Sequence, residues 1–175
     1  MMNYYKSLVL FVVVFLFFTN NMYSVSAKNQ PLSIEELYKK SGFKSDEALI
    51  REYEKKYRLK IGTPKKFPFI ISDMFGKIDH TDKPPKLELA YINNKIPKDS
   101  LRIFIRPVLS KLQLREGDEI YHLKDGTKAI YRSNYGIAYV LEFQKNGVEY
   151  FIGIGKSTDK TITVNNLMEI AESIN

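Results

Sequence analysis

The sequence predicts an α+β fold in which an antiparallel meander sheet of about six strands carries a C-terminal helix on one face, with short helices at its N-terminal side. The predicted order is helices, several strands and one last helix, without the strand–helix alternation typical of a parallel sheet. The strand regions alternate between apolar and polar residues, and turn-forming residues separate them. With 44% hydrophobic residues and no cysteine, the chain must rest on its core and not on disulfides.

The most regular strand pattern is a hairpin centred on Asn146-Gly147, the dipeptide preferred in a type I′ turn. Such a turn pairs Lys145 with Val148. It then places apolar residues opposite one another on one face, namely Phe143 with Tyr150, Leu141 with Ile152, and Tyr139 with Ile154. Because a one-residue slip would move every side chain to the other face, this match specifies the register.

A second hairpin is predicted around Asp125-Gly126. A two-residue turn there pairs Tyr121 with Ile130 and places Glu119 opposite Arg132 as a cross-strand ion pair. The sheet face turned away from the last helix is expected to meet solvent or a partner through its charged side chains, which are Arg102, Arg106, Lys128, Glu142 and Glu149.

Capping signals mark the N-terminal helices. Ser33 and Glu36 form a capping box that begins the first helix, and Gly42 is placed to end it. A second helix is predicted to run from Ser45-Asp46-Glu47 to about Leu59.

Two prolines make Pro64–Phe69 an extended lead-in to the sheet. It is expected to continue as a strand at Phe69–Met74, which Gly76 ends or bulges. Further strands are predicted around Leu87–Tyr91 and Leu101–Arg106.

The chain is predicted to have three parts. Residues 1–27 are a secretory signal peptide, residues 28–63 a basic helical segment, and residues 64–175 the sheet with the last helix; the second and third parts form one globular domain. The last helix begins at Thr163, and its apolar stripe should lie on the sheet: Leu167, Ile170, Ala171 and Ile174.

The signal peptide is predicted from its three regions. Lys6 gives a positive N-terminal region, Ser7–Phe18 is an almost wholly apolar run, and a polar stretch ends in Val25-Ser26-Ala27. Cleavage is expected between Ala27 and Lys28, which makes the protein secreted or extracytoplasmic. The alternative is an uncleaved membrane anchor, although the apolar run is shorter than the about 20 residues of a spanning helix.

Basic residues are concentrated near the start of the expected mature chain. Residues 28–66 hold 11 basic and 6 acidic side chains in a protein of net charge +7. Such a segment is expected to contact anionic membrane lipids or wall polymers through an attraction that salt screens. The candidate contact residues are Lys55, Lys56, Arg58, Lys60, Lys65 and Lys66. The alternative is a solvated surface whose lysines serve solubility.

The sequence offers little catalytic machinery. Without cysteine, thiol catalysis and thiolate metal sites are excluded. A hydrolase that uses His80 with Asp79 or Asp82 is the catalytic alternative, although the spacing fits no metal-ligand set and a solvated turn is the simpler interpretation. We predict no cofactor, and no nucleic acid as partner, because neither a glycine-rich phosphate loop nor a nucleic-acid module is present.

Tyrosines are frequent in the predicted hairpins. They could form a contact face for peptide, glycan or an apolar tail, although sheet propensity explains them more simply. The five positions are Tyr121, Tyr131, Tyr135, Tyr139 and Tyr150.

Several stretches of the second half share a pattern with a known group of proteins. They are Lys124–Tyr131, Leu141–Phe143, Gly147–Ile152 and Asn166–Ile174, preceded by the lead-in Pro64–Phe69. Over residues 64–174 the chain resembles a family of exported domains of unknown function in Gram-positive, spore-forming bacteria. Members occur as lipoproteins, as secreted proteins and outside the membrane in anti-sigma-type regulators, so the resemblance implies a non-enzymatic envelope domain.

We therefore expect an exported, non-catalytic binding or interaction domain of the cell envelope. Its expected partner is an anionic membrane, a wall polymer or another envelope protein. The alternatives are the hydrolase described above and a structural or regulatory subunit of an envelope complex.

Overall fold

The predicted α+β fold is confirmed, and its antiparallel sheet has seven strands where the sequence predicts about six. The computed structural model describes residues 32–44, 46–156 and 162–175, of which Ser33–Asn175 belong to one compact unit. The predicted signal peptide, its cleavage site between Ala27 and Lys28, and the Ser45 start of the second helix lie outside the described residues. In the described part of the chain, no helix has the length and apolar character needed to cross a membrane.

The sheet consists of two meanders joined edge to edge. The helices are α1 (Ile34–Lys40), α2 (Asp46–Tyr57) and α3 (Val164–Glu172), and the strands are β1 (Asp73–Asp79), β2 (Lys86–Ile92), β3 (Ser100–Pro107), β4 (Glu119–His122), β5 (Lys128–Arg132), β6 (Ala138–Lys145) and β7 (Val148–Gly155). The strand order is β1-β2-β3-β7-β6-β5-β4. The chain therefore leaves the centre of the sheet after β3 and returns from the far edge, so that the last strand, β7, lies beside β3.

The β6–β7 hairpin has the predicted register. Phe143 lies opposite Tyr150, and the other predicted pairs also lie opposite each other. Asn146 and Gly147 have φ angles of 51° and 77°, which is the positive-φ pair that a type I′ turn requires.

The β4–β5 hairpin is one residue out of the predicted register. Glu119 lies opposite Tyr131, not Arg132. The turn has three residues, because the Leu123 amide donates to the carbonyl of Thr127 (2.9 Å) and Gly126 takes φ 83° at the last turn position. An Asp-Gly pair fits this longer turn as well as a two-residue turn, since glycine is favoured at the left-handed position of both.

The main core lies between one sheet face and the helices α2 and α3. The predicted stripe is buried, with Leu167, Ile170 and Ala171 of α3 and Ile174 just after it each at most 1% exposed, which confirms that this helix packs on the sheet. From α2, Tyr53 is fully buried, and its hydroxyl donates to the carbonyl of Pro85 at 2.6 Å.

The helix α1 covers part of the opposite face. Its predicted capping box is present, with the Ser33 hydroxyl accepting from the Glu36 amide (3.2 Å), and Gly42 follows it at φ 83°. A small second core lies beneath it, formed by Phe43, Phe75, Ala90 and Ile92. Helices therefore cover parts of both sheet faces, where the sequence predicted cover on one.

The charged face of the sheet is more covered than predicted. The connection 108–118 crosses it, and the carbonyl of Gln113 accepts from the Arg132 guanidinium at 3.1 Å. Glu149 is 6% exposed and pairs with Arg106. Of the five charged positions expected to face solvent or a partner, Lys128 alone is largely exposed. The other four are buried or half-buried, and each pairs with an opposite charge, which lowers the cost of its burial.

The first strand begins later than predicted. The sequence predicts a strand at Phe69–Met74, but β1 begins at Asp73, because its partner β2 ends opposite that residue at Ile92. Gly76 lies inside β1 and neither ends nor bulges it. Phe69 instead fills the core from the lead-in and is 5% exposed.

Candidate functional site

The six predicted contact cations lie on residues 55–66, which we call the basic segment. All six are exposed: Lys55, Lys56, Arg58, Lys60, Lys65 and Lys66. None of them forms an ion pair with any carboxylate among the described residues. The sequence between Glu54 and Asp73 contains no acidic residue, so the positive charge of the segment is not compensated locally.

The end of α2 sets the path of the basic segment. After the helix, Arg58 adopts a left-handed conformation (φ 53°), and the Leu59 amide donates back to the Glu54 carbonyl at 3.1 Å. The Glu54 carboxylate accepts from the Ile61 amide at 2.7 Å. The acid nearest to the cations in the sequence is thus used to hold the backbone.

The second half of the basic segment is bound to the sheet and to α3. The Gly62 amide donates to the Tyr150 hydroxyl at 3.0 Å, and burial raises the pKa of that hydroxyl. The Ser173 hydroxyl accepts from the amides of Lys65 and Lys66 at 3.0 and 3.1 Å. The lysine side chains therefore extend from a fixed backbone.

Two cavities lie beside the basic segment at the C-terminal end of α3. The larger, of about 290 Å³, has the charged lining residues Lys66, Lys124, Asp125, Lys145, Glu169 and Glu172. The smaller, of about 90 Å³, includes Lys60 and Lys145. The structure thus brings two predicted cations together with Lys124 and Lys145. The sequence analysis missed these two lysines because a turn and a strand end distant in the chain carry them.

The lysines that the sequence analysis missed are already neutralised. Lys124 lies 2.6 Å from Glu172, and this hydrogen bond raises the pKa of Lys124. Lys145 lies 2.9 Å from Asp125, whose pKa is held well below its usual value by hydrogen bonds from Thr127 and then Lys145. Because its charges balance, the larger cleft does not favour an anion over a zwitterion.

The remaining cations of the basic segment form an open surface. Lys55, Lys56 and Arg58 line neither cavity, and the Lys56 ammonium lies 5.5 Å from the centroid of the Tyr57 ring. Such a surface suits an extended polyanion or a charged membrane better than a small enclosed ligand.

The histidine of the hydrolase alternative lies in an exposed turn. His80 forms no hydrogen bond or ion pair with Asp79 or Asp82 among the described residues. Both carboxylates lie near Lys86, at 3.9 and 2.9 Å. Burial acts to raise the pKa of Asp79, but hydrogen bonds from Thr81 and the charge of Lys86 hold it below its usual value. Among the described residues, no group of three potential metal ligands occurs.

The hairpin tyrosines do not form a common exposed face. Tyr131 and Tyr150 are buried, Tyr121 and Tyr139 are half-buried, and Tyr135 is 44% exposed. Four of the five therefore serve packing at least in part, as their sheet propensity indicates.

Comparisons of the chain with protein-family models, with curated proteins and with solved structures gave no match. The resemblance to the exported family stays a prediction, and the functional argument rests on this chain's own geometry.

Proposed function

We propose that this chain is an exported, non-catalytic binding domain of the bacterial cell envelope that contacts anionic envelope components through its basic segment. The observation that carries the proposal is the set of six exposed cations without an ion-pair partner among the described residues. An incoming anion would not have to displace a carboxylate from any of them.

The fixed backbone of the basic segment adds to the proposal. Its hydrogen bonds to Glu54, Tyr150 and Ser173 mean that little chain entropy is lost on binding. A lysine close to an anionic surface contributes about 1 kcal/mol to binding. Three such lysines therefore account for roughly a hundredfold in affinity.

The test removes charge at the basic segment and at a matched distant surface. One variant combines Lys60→Gln, Lys65→Gln and Lys66→Gln. The control combines Lys83→Gln, Lys111→Gln and Lys128→Gln, which removes the same charge from exposed lysines elsewhere. Binding of the exported protein to long-chain inorganic polyphosphate is measured from about 20 mM to about 500 mM salt, a range over which the screening length falls several-fold.

The parent should bind in a strongly salt-dependent manner, and the basic-segment variant should bind about a hundredfold more weakly at low salt. The control should stay close to the parent. An equal loss in both variants, or binding that does not respond to salt, would show that the basic segment is not the contact surface.

A structural or regulatory subunit of an envelope complex is the second candidate function. It is favoured by an exposed apolar side chain at the sheet edge, where β4 pairs on one side only within the described part of the chain and Ile120 is 46% exposed. Crosslinking in the native cell should then recover a stoichiometric partner that Ile120→Lys abolishes. Recovery of the same partner with this variant would exclude the edge as the contact.

A further inference from the structure

Three loop segments extend from the same end of the sheet. Asp73 lies opposite Ile92, which in turn lies opposite Ser100, and Ala138 lies opposite Gly155. The chain segments 70–72, 93–99 and 133–137 therefore lie at the same end of the sheet. We call the surface that these three segments form the isoleucine end. Because β1, β2, β3, β7 and β6 are spaced at about 4.8 Å, this end is about 20 Å wide.

Each segment of the isoleucine end exposes one isoleucine. Ile70 is 78% exposed, Ile137 75% and Ile96 38%. The first two are the most exposed large hydrophobic side chains in the described part of the chain. Single exposed apolar residues are normal on protein surfaces. Here three exposed isoleucines lie on segments at the same end of the sheet, and together they give that end an apolar surface.

The backbone holds these side chains in place. Phe69, beside Ile70, is 5% exposed and packs in the core. The Ser72 amide donates to the Ile92 carbonyl at 2.8 Å. The Ile137 carbonyl accepts from the Lys156 amide, also at 2.8 Å. The isoleucines therefore project from anchored segments, and their exposure does not result from a loose chain.

Positive charge surrounds the exposed isoleucines. Lys95 precedes Ile96, and Lys156 adjoins Ile137 through the backbone hydrogen bond; both lysines are exposed. The acids of these three segments and of the strand ends they leave are Asp99, which is 1% exposed, and Asp73, which accepts from the Ser72 hydroxyl at 2.8 Å. The exposed carboxylates Glu116 and Glu119 lie at the same end of the sheet but beside β4, at its far edge. The surface presented outward is apolar with a positive surround.

We propose that the isoleucine end docks on an anionic lipid bilayer. The isoleucine side chains enter the boundary between head groups and acyl chains, and the lysine side chains bind the lipid phosphates. The isoleucines lie on separate segments, which a fluid bilayer can surround. A protein partner would need a contiguous complementary area on the order of 800 Å² on this side.

The docking surface is distinct from the basic segment. Lys60 lines a cavity with Asn146, and Asn146 belongs to the β6–β7 turn at the opposite end of the sheet. A domain docked by its isoleucine end would keep that cation available for a polymer. The inference therefore goes beyond the proposed function, and the two can fail separately.

The absence of tryptophan from the chain permits a direct test. Ile70→Trp and Ile137→Trp each introduce the single indole of the protein. Leu109→Trp is the control, since Leu109 is 61% exposed and follows β3 at the opposite end. Emission of the exported protein is recorded with vesicles of phosphatidylcholine alone and with about 30% phosphatidylglycerol. Flotation of the single variants Ile70→Ser, Ile137→Ser and Leu109→Ser measures the affinity for the vesicles.

The indoles at positions 70 and 137 should shift to the blue on anionic vesicles, and the control indole should not. Removing each isoleucine should weaken flotation about tenfold, whereas Leu109→Ser should equal the parent. No flotation of the parent, equal binding to phosphatidylcholine alone, or a shift confined to the Leu109→Trp control would each overturn the inference. Loss of polyphosphate binding in the lysine variant concerns only the basic segment.

Discussion

Replacing Arg132 with methionine tests how the buried charges beneath the 108–118 connection stabilise the sheet. The Arg132 side chain is 5% exposed and pairs with Asp118 and Glu142, whose side chains are 6% and 13% exposed. Its guanidinium also donates to the Gln113 carbonyl at 3.1 Å. The substitution keeps most of the apolar volume and removes all of these donors.

The expected cost follows from the two carboxylates that remain. Removing one partner of a buried ion pair costs about 3–5 kcal/mol, because the remaining charge stays out of water without compensation. With a typical total stability of about 5–15 kcal/mol, Arg132→Met should lose a large part of the free energy of unfolding. Adding Asp118→Asn and Glu142→Gln removes both stranded charges and should recover roughly half of that loss or more.

Urea unfolding monitored by circular dichroism measures these differences in the free energy of unfolding. The slope of that free energy against urea concentration should stay unchanged. Arg51→Met is the control, since Arg51 lies 3.6 Å from Glu47 with both side chains at least 70% exposed. Loss of this surface pair should cost less than about 0.5 kcal/mol. A cost for Arg132→Met as small as that of the control, or a triple variant no more stable than the single one, would refute the reasoning.

Two further predictions concern the C-terminal end of α3 and its neighbouring turn. Gly62→Ala should lower the free energy of unfolding by about 1–3 kcal/mol, because a Cβ there would lie 2.6 Å from the Asn175 carbonyl oxygen. Gly153→Ala is the control and should be neutral or stabilising, because the nearest atom to its Cβ would be 3.9 Å away. Equal effects in thermal unfolding would contradict this explanation. Hydrogen bonds from Thr127 lower the pKa of Asp125, so its contribution to stability is present above about pH 4 and is lost as the pH falls below that. Asp125→Asn should therefore flatten the acid side of the stability profile, and an unchanged slope would show that this carboxylate contributes nothing.

The correctly predicted features depend on residues close together in the chain. The β6–β7 register follows from Asn146-Gly147 because the turn conformation and the strand pattern agree. The capping box at Ser33 and the buried stripe of α3 are equally local. In each case the backbone conformation and the apolar period specify the same arrangement.

The incorrect predictions depend on distant partners. Asp125-Gly126 fits two turn lengths, and the structure has the longer one, in which Arg132 lies not opposite Glu119 but with Asp118 and Glu142. The pattern of alternating charges predicted an open face, but it could not reveal that the 108–118 connection crosses that face.

The candidate site also has features that the sequence predicts and features that it does not. The basic segment could be predicted because its cations follow one another in the sequence, whereas its attachment to Tyr150 and Ser173 could not. The isoleucine end had no distinct sequence signal, since Ile70 falls within the predicted strand Phe69–Met74 and Ile137 continues the apolar alternation of β6. Only the strand order shows that their segments share one end of the sheet.

Local patterns in the sequence specify the fold class, the β6–β7 hairpin, the last helix and the position of the positive charge, because turn conformation and side-chain period act over a few residues. The strand order, the β4–β5 register, the set of buried charges and the apolar side chains that share an end of the sheet follow from the folded chain. Burial and ion pairing depend on which strands become neighbours, and those neighbours lie far apart in the sequence.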